Sequence, residues 1–381
     1  MKTLICIPCL LIGGTEIQTL NLVRALREYG HEVLILCYYE YDSYMVRRCE
    51  EMGSLVHCLS PDGVRMEGKS QIPFLYKGFR KILKIYLPDV VHIQYMAPGA
   101  LPVLLLKILG VRNIIATLHT TAEIYKSTKL VRFIQKFCVR AFTCITLEAE
   151  KSFFGSSLLY TKDVVLKRRN HFTIYNALPD YICIKKDSKV RNTTITVGVV
   201  SRLEPIKGMD LVIPAFAEVL LLHPSIRLFV VGDGSLLDEM KADAEKRNIS
   251  NSISFFGEQP HEALPALYDQ IDILLVPSRS EGFGLTAIEG MARGCVVVAA
   301  NVGGLPEVVK NRQVGLLHEP GSIEDIVEKV NLLVCSQKRL KHLSENARAY
   351  VGKFCFIHYS HLFNDLYQKL YNKKRKNNSF T

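Results

Sequence analysis

The chain of 381 residues contains no tryptophan, and several patterns that would assign a function class at once are missing as well. No apolar run reaches the length of a bilayer span, because the best candidate, 100–108, is broken by Pro102 and Lys107. No Asp-x-Asp motif is available for a metal-held diphosphate, and the nearest approach, Asp243-Ala-Glu245, stands in a polar helical stretch. A complete Gly-x-Gly-x-x-Gly is also absent: Gly232-Asp-Gly234-Ser-Leu-Leu lacks the last glycine, which argues against a dinucleotide oxidoreductase. There is no short internal repeat and no low-complexity block. The cysteines form no paired framework either, since eleven is an odd number and most stand in apolar segments, as expected of small hydrophobes in a reducing compartment. Cys6-Ile-Pro-Cys9 has redox spacing, but the apolar run continues through Leu10, Leu11 and Ile12, so a buried strand is expected there. The first residues resemble a signal peptide without a small-x-small cleavage site, and a cytoplasmic protein is expected.

What is present is a globular composition, 48% hydrophobic and 22% charged, on a chain long enough for two domains. Apolar strand-like runs alternate with helical patterns, the signature of a parallel sheet covered on both faces. The expected strands are 4–8, 33–36, 90–93 and 114–118, with a helix over 16–29 closed by Gly30. After a polar stretch at 185–194 the alternation resumes with strands at 195–201, 227–231, 252–256, 273–276 and 296–299. The expectation is an α/β chain of two Rossmann-like domains, 1–178 and 179–357. A C-terminal helix and basic tail, 358–381, crosses back to the first domain. In that segment Leu362, Phe363, Leu366, Tyr367 and Leu370 have helical spacing, and Lys373-Lys374-Arg375-Lys376 are read as frayed.

The net charge of +11 is concentrated in the first half. Two basic stripes stand there, Lys77, Arg80, Lys81, Lys84 and Lys129, Arg132, Lys136, Arg140. In the second, Leu130, Phe133, Ile134 and Phe137 read as the face turned to the core. Charge alone does not choose among partners. The expectation drawn from the stripes is docking on an anionic membrane surface, with no nucleic acid.

Two loops carry the chemistry. Ser201-Arg202-Leu203-Glu204-Pro205-Ile206-Lys207-Gly208 follows a strand, where open α/β sheets bind ligands, and Arg202 and Lys207 would set two cations over a diphosphate. Ser278-Arg279-Ser280-Glu281-Gly282-Phe283-Gly284-Leu285 follows another strand. Gly282 and Gly284 let backbone amides approach a ligand at the N-terminus of the next helix. Glu281 could accept hydrogen bonds from sugar hydroxyls, and Glu289, two turns on, suits a ribose diol.

With these motifs the chain resembles the retaining glycosyltransferases of family 4, which have the GT-B fold, two Rossmann-like domains facing across a cleft. The resemblance rests on the two glutamates Glu281 and Glu289, the Arg202 and Lys207 pair, Gly13-Gly14-Thr15-Glu16, and Asn301-Val-Gly-Gly-Leu-Pro-Glu307. It implies that Glu289 binds the ribose, Arg202 and Lys207 the diphosphate, and Glu281 a hydroxyl of the transferred sugar. It further implies that Phe283, Gly284 and Leu285 offer backbone amides, that Gly13 and Gly14 bring the first-domain loop to the donor, and that the base lies near 257–259. His119 stands where the family has a histidine near the reacting sugar, although Thr120 replaces the usual aspartate, and Asn176-Ala-Leu-Pro replaces Asn-Gly-Val-Asp. The implied activity is metal-independent, retaining transfer of a hexose or N-acetylhexosamine. The donor is a nucleoside-diphosphate sugar, UDP favoured, the acceptor a lipid-linked glycan, and no cofactor takes part. The expected role is cell-surface polysaccharide or glycolipid synthesis. The alternative is a non-catalytic nucleotide-sugar-binding homologue or partner subunit.

Overall fold

The computed structural model describes residues 1–94, 100–122, 127–185 and 194–378, with side chains to Tyr371. Most of the 185–194 stretch, the end of the tail and the side chains of Lys373, Lys374, Arg375 and Lys376 therefore lie outside the described residues. The chain forms two compact units, Met1–Ala177 with Phe356–Thr381, and Leu178–Cys355.

The first unit contains β1 (Lys2–Ile7), α1 (Gly14–Glu28), β2 (Glu32–Cys37), α2 (Ser43–Glu51), β3 (Leu55–Cys58), α3 (Gln71–Tyr86) and β4 (Val90–Ile93). It continues with α4 (Leu101–Ile108), β5 (Ile114–Leu118), α5 (Lys129–Phe137), β6 (Ala141–Cys144), α6 (Leu147–Phe154) and β7 (His171–Thr173). Its seven strands lie in the order β3-β2-β1-β4-β5-β6-β7 and all neighbours are parallel. The inner strands are buried on both faces, which is why they read in sequence as predominantly apolar runs, each with one polar residue inside, Thr3, His92 or Thr117.

The two faces of this sheet differ. Leu4, Cys6, Val91, Ile93, Ala116, Leu118, Phe142 and Cys144 share one core with the buried sides of α3, α4 and α5. Strand alternation sends Thr3, His92, Thr117 and Thr143 to the other face. There the last three form a buried polar chain, His92 Nδ1 2.7 Å from Tyr367 Oη and its Nε2 2.6 Å from Thr117 Oγ1, which lies 2.5 Å from Thr143 Oγ1, while the Thr3 hydroxyl pairs with His31 Nδ1 at 3.2 Å.

The second unit contains β8 (Thr196–Val200), α7 (Val212–Leu222), β9 (Arg227–Val231), α8 (Leu237–Lys246), β10 (Ile253–Gly257), α9 (Leu264–Tyr268) and β11 (Ile273–Val276). It ends with α10 (Leu285–Ala292), β12 (Val296–Ala300), α11 (Leu305–Val308), β13 (Gly315–His318), α12 (Ile323–Val334) and α13 (Gln337–Val351). The order is β10-β9-β8-β11-β12-β13, again all parallel. The chain then returns to the first unit as α14 (Phe356–Asn378), which packs on α1. Its contact side is Tyr359, Phe363, Leu366, Tyr367 and Leu370, all buried, and the Arg24 guanidinium lies 4.0 Å from the Phe356 ring centroid.

Three expectations are corrected. β1 ends at Ile7, and beyond Leu10 the apolar residues Leu11 and Ile12 are exposed, so they extend no buried strand. All eleven cysteines are free, Cys6 within β1 and Cys9 after it. α14 runs through the basic segment to Asn378 instead of fraying after 371. Finally, Leu130, Phe133 and Phe137 of α5 are exposed, and the core side is Val131 and Ile134.

Candidate functional site

In the second unit β8 and β11 are neighbours where the strand order reverses, and the loops that leave their C-terminal ends are the two with the informative motifs. The loop after β8 tightens into a 3-10 turn, Pro205–Lys207, that ends at Gly208 with φ 68°. A Cβ on Gly208 would lie 2.0 Å from the carbonyl oxygen of Pro277, the first residue of the loop after β11. Glycine is therefore the condition for the two loops to touch.

Arg279 completes the join. Its guanidinium donates in a fork to Asp210 at 2.5 and 2.6 Å and to the Pro205 carbonyl at 2.6 Å, while its backbone N–H donates to Ile206 O at 2.9 Å. This fork holds the Asp210 carboxyl below the usual carboxylate range.

The join sets Lys207 Nζ 2.6 Å from Glu281 Oε2, with Ser278 Oγ 3.4 Å from the same oxygen. Arg202 is exposed and, among the described residues, makes no ion pair. Glu204 points elsewhere, accepting from the Ser235 N–H at 3.1 Å and hydroxyl at 2.7 Å. A cation paired with an acid, and a second, exposed cation on the same loop, are groups that an anionic ligand can engage without burying either charge first.

The Asn301-to-Glu307 motif supports Glu281 from below. Gly303 has φ 51°, a Cβ on it would stand 2.0 Å from the Glu281 carbonyl, and the Gly304 N–H donates to that carbonyl at 3.0 Å. The motif thus fixes the backbone of the acid. Gly284 is the N-cap of α10 in the left-handed region, with Gly282 half-buried before it and Leu285 and Thr286 half-buried in the first turn. The first N–H groups of such a helix lack intrahelical acceptors. Phe283 turns its ring into the core, edge-on to Phe354 at 5.4 Å, so only its backbone faces the loop.

Glu289 is buried in α10. Tyr181 donates to its Oε1 at 3.0 Å and Tyr268 to its Oε2 at 2.8 Å. Burial raises the carboxyl above its ordinary value, and the two phenols offset part of that rise. The tyrosine hydroxyls bond the carboxylate as a sugar diol would, and each oxygen keeps a further lone pair. Gly257 ends β10 and accepts from the Gly232 N–H at 2.8 Å, and the Gln259 amide donates to Phe256 O at 2.8 Å.

Gly13, Gly14 and His119 belong to the first unit. Gly13 is the N-cap of α1 and Gly14 is exposed, with the Glu16 carboxylate folded over Gly13. His119 follows β5, buried, with Nε2 2.8 Å from Gln94 Oε1. Gln94 follows β4, so a neighbouring strand supplies the partner that Thr120 does not. Sequence reading missed Gln94, Tyr181, Tyr268 and the Arg279–Asp210 fork. Arg279 stands inside a motif already singled out, while the others come from distant segments with no spacing signal.

Burial pushes His119 down to about 4 and His92 to about 3, so both are neutral imidazoles at pH 7. Their unfolded value is near 6.5, so between that pH and about 4 the unfolded chain binds protons that the folded unit refuses. The stability they contribute is present above pH 6.5 and is lost as pH falls. At pH 5 each is expected to cost about 2 kcal/mol relative to pH 7.5. Thermal unfolding at the two pH values checks this, with His119→Gln expected to shrink the difference.

Among the described residues no cluster of His, Cys, Asp and Glu could hold a metal ion, and no helix is long and apolar enough to cross a membrane.

Comparison with known proteins bears on the family and the fold. The profile for glycosyl transferases group 1 matches residues 182–350, and that for glycosyltransferase family 4 matches 12–150. The chain is 29% identical over 345 residues to an uncharacterised glycosyltransferase of Methanocaldococcus jannaschii, covering 90% of this chain and 91% of that one. It is 37% identical over 162 residues to the D-inositol 3-phosphate glycosyltransferase of Segniliparus rotundus, a match covering 42% of this chain and only 36% of the relative. Anabaena HepE in complex with UDP superposes with a TM-score of 0.78 at 19% identity, over 97% of this chain and 100% of HepE. The lipopolysaccharide outer core galactosyltransferase WaaB does so with a TM-score of 0.74 at 18% identity, over 97% and 100%. Two parallel doubly wound sheets and these neighbours make the fold GT-B. The chain belongs to the group 1, family 4 glycosyltransferases, the family its motifs resemble.

Proposed function

We propose that this glycosyltransferase moves a hexose or N-acetylhexosamine from a nucleoside-diphosphate sugar, UDP favoured, to a lipid-linked glycan at a membrane surface, in cell-surface polysaccharide or glycolipid synthesis. The observation that carries the donor reading is the joined pair of loops at the β8/β11 switch point, which brings Lys207 to Glu281 and carries Arg202 on the same loop as Lys207, with Glu289 on the helix that follows. HepE, a solved structure of the same fold, is bound to UDP and in another crystal to UDP and glucose, which supports UDP as the base to test first.

In this reading the diphosphate draws Lys207 from Glu281 and takes Arg202 as its second cation. The Glu281 carboxylate, released from the lysine, accepts from a hydroxyl of the sugar. As the sugar–phosphate bond breaks, negative charge grows on the leaving diphosphate, and the two fixed cations and the first-turn N–H groups of α10 stabilise it more than they stabilise the bound donor. Fixed side-chain charges make a metal ion unnecessary for that step. Retention follows if the leaving oxygen accepts the acceptor's proton on the face it departs from. In the first unit the buried His119 is neutral and serves as a hydrogen-bonding group rather than as a charge.

The test is a panel of UDP-, GDP-, ADP- and CDP-sugars with EDTA present, read by thermal shift. One nucleotide class is expected to stabilise the protein, and Glu289→Gln to weaken that stabilisation at least about tenfold in apparent affinity, because an amide nitrogen cannot accept from the ribose. No stabilisation by any donor would favour a non-catalytic homologue and contradict the proposal.

A further inference from the structure

α5 is an unusual surface helix. Its inner side, Val131 and Ile134, joins the core shared with α3 and α4. On its outer side Leu130, Phe133 and Phe137 are 51%, 50% and 56% exposed, and the two phenyl rings meet with centroids 5.1 Å apart. Lys129 and Lys136 flank them, exposed, the Lys136 ammonium 5.3 Å from the Phe137 ring centroid. Arg132 has a different duty, since its Nε donates to Phe153 O at 2.6 Å and ties α5 to the end of α6.

The surroundings share this character. Residues 68–147 contain twelve lysines and arginines and two acids, Asp89 and Glu123. Since α3, α4 and α5 cover one face of the first sheet, much of this charge stands on one side of the unit. Lys77, Arg80, Lys81 and Lys84 of α3 and Lys107 of α4 are exposed there, and so are the aliphatic Ile85 and Ile108. Single exposed apolar residues need no explanation, but an aromatic pair with a leucine on a helix that has no acid is the composition of an interfacial helix.

We propose that this face docks on an anionic bilayer with α5 lying in the interface, Phe133 and Phe137 inserted at the boundary between headgroups and acyl chains while the lysines bind the headgroups. Charge complementarity selects an anionic surface, and the exposed aliphatic side chains select acyl chains over nucleobases, on which only rings stack. The proposal deepens the membrane-surface reading above, but vesicle binding is measured without donor or acceptor, so either idea can fail alone.

The absence of tryptophan supplies the probe. Phe133→Trp gives the chain a single tryptophan, and Leu221→Trp, at an exposed position on α7 of the second unit, is the control. Vesicles of phosphatidylcholine with phosphatidylglycerol are expected to shift the Phe133→Trp emission to the blue and, when the acyl chains are brominated, to quench it, leaving the control unchanged. The double variant Phe133→Ser, Phe137→Ser is expected to keep the wild-type melting midpoint and donor-induced shift and to lose vesicle partition at least about tenfold. Lys129→Gln with Lys136→Gln is expected to lose it several-fold on the anionic vesicles only. Sedimentation with vesicles but no change in emission would mean docking by charge alone and would overturn the insertion. So would the absence of vesicle binding, a preference for single-stranded oligonucleotide, or a dimer in gel filtration that the double phenylalanine variant abolishes.

Discussion

Lys207→Ala is expected to lower turnover of the donor by on the order of 10² to 10³-fold, the usual effect of removing one group aimed at charge that develops in the transition state. The size of the effect follows from where the lysine is held. Its ammonium lies 2.6 Å from Glu281 in a site where both side chains are largely enclosed, so its charge is only partly screened by water. The pair is not deeply buried, and its loss should cost the fold no more than about 1 kcal/mol. A large kinetic effect with a small change in melting midpoint therefore separates a chemical role from a structural one. Arg202→Ala differs in degree: the side chain is exposed, so its charge is more screened by water, and its loss should slow turnover less and leave stability unchanged. Steady-state kinetics and thermal melts on both variants check these outcomes. Loss of activity that merely tracks loss of fold would contradict them.

The second large effect is expected from glycines. Gly208→Ala and Gly303→Ala each place a Cβ 2.0 Å from a backbone oxygen, Pro277 O and Glu281 O respectively, at positive φ. Both the left-handed conformation and the contact must be relieved, which should cost about 2–4 kcal/mol of unfolding free energy. The relief moves the backbone that holds Lys207 or Glu281, and a displacement near 1 Å at such a site is worth about 10²-fold in rate. Gly321→Ala is the control, since its φ is 78° but no atom would lie within 4 Å of the new Cβ. It should show only the conformational cost of about 1 kcal/mol and full activity. Denaturant unfolding and kinetics on the three variants separate a packing requirement from a conformational one.

The parts of this molecule legible in its sequence are those in which a single segment carries both the signal and the structure. Val90–Ile93, Ile114–Leu118, Arg227–Val231 and Ile273–Val276 match their expected bounds because strands covered on both faces read as short, predominantly apolar runs. β3 is an edge strand, exposed at Leu55 and only half-buried after it, and β7 is three residues opening on a histidine, so neither forms such a run. The glutamates and cations were visible because their spacing follows one loop and one helix. Their partners were not, because Tyr181, Tyr268 and Gln94 arrive from other elements, and nothing in a linear pattern links Gln94 to His119 across two strands. Periodicity grouped Ile134 of α5 with Leu130, Phe133 and Phe137, whereas the structure separates it from them. The sheet takes Val131 and Ile134, the smaller set, and leaves the phenylalanines outside.

The glycine pair Gly232 and Gly234 illustrates a different limit. It lacks the third glycine of a dinucleotide motif, yet both glycines have a reason to be there. A Cβ on Gly232 would lie 1.9 Å from Ser201 O and one on Gly234 2.6 Å from Leu203 O, so the pair packs against the backbone that presents Arg202. The motif failed for its usual ligand and succeeded as support for another loop.

The most direct test of the account is to follow the anomeric proton by NMR while the protein turns over a UDP-sugar in EDTA, with Lys207→Ala and Glu281→Gln alongside. The account predicts slow release of the sugar in the donor's own anomeric configuration, at least about a hundredfold slower in both variants. Release of the opposite anomer, or turnover that neither substitution slows, would contradict it.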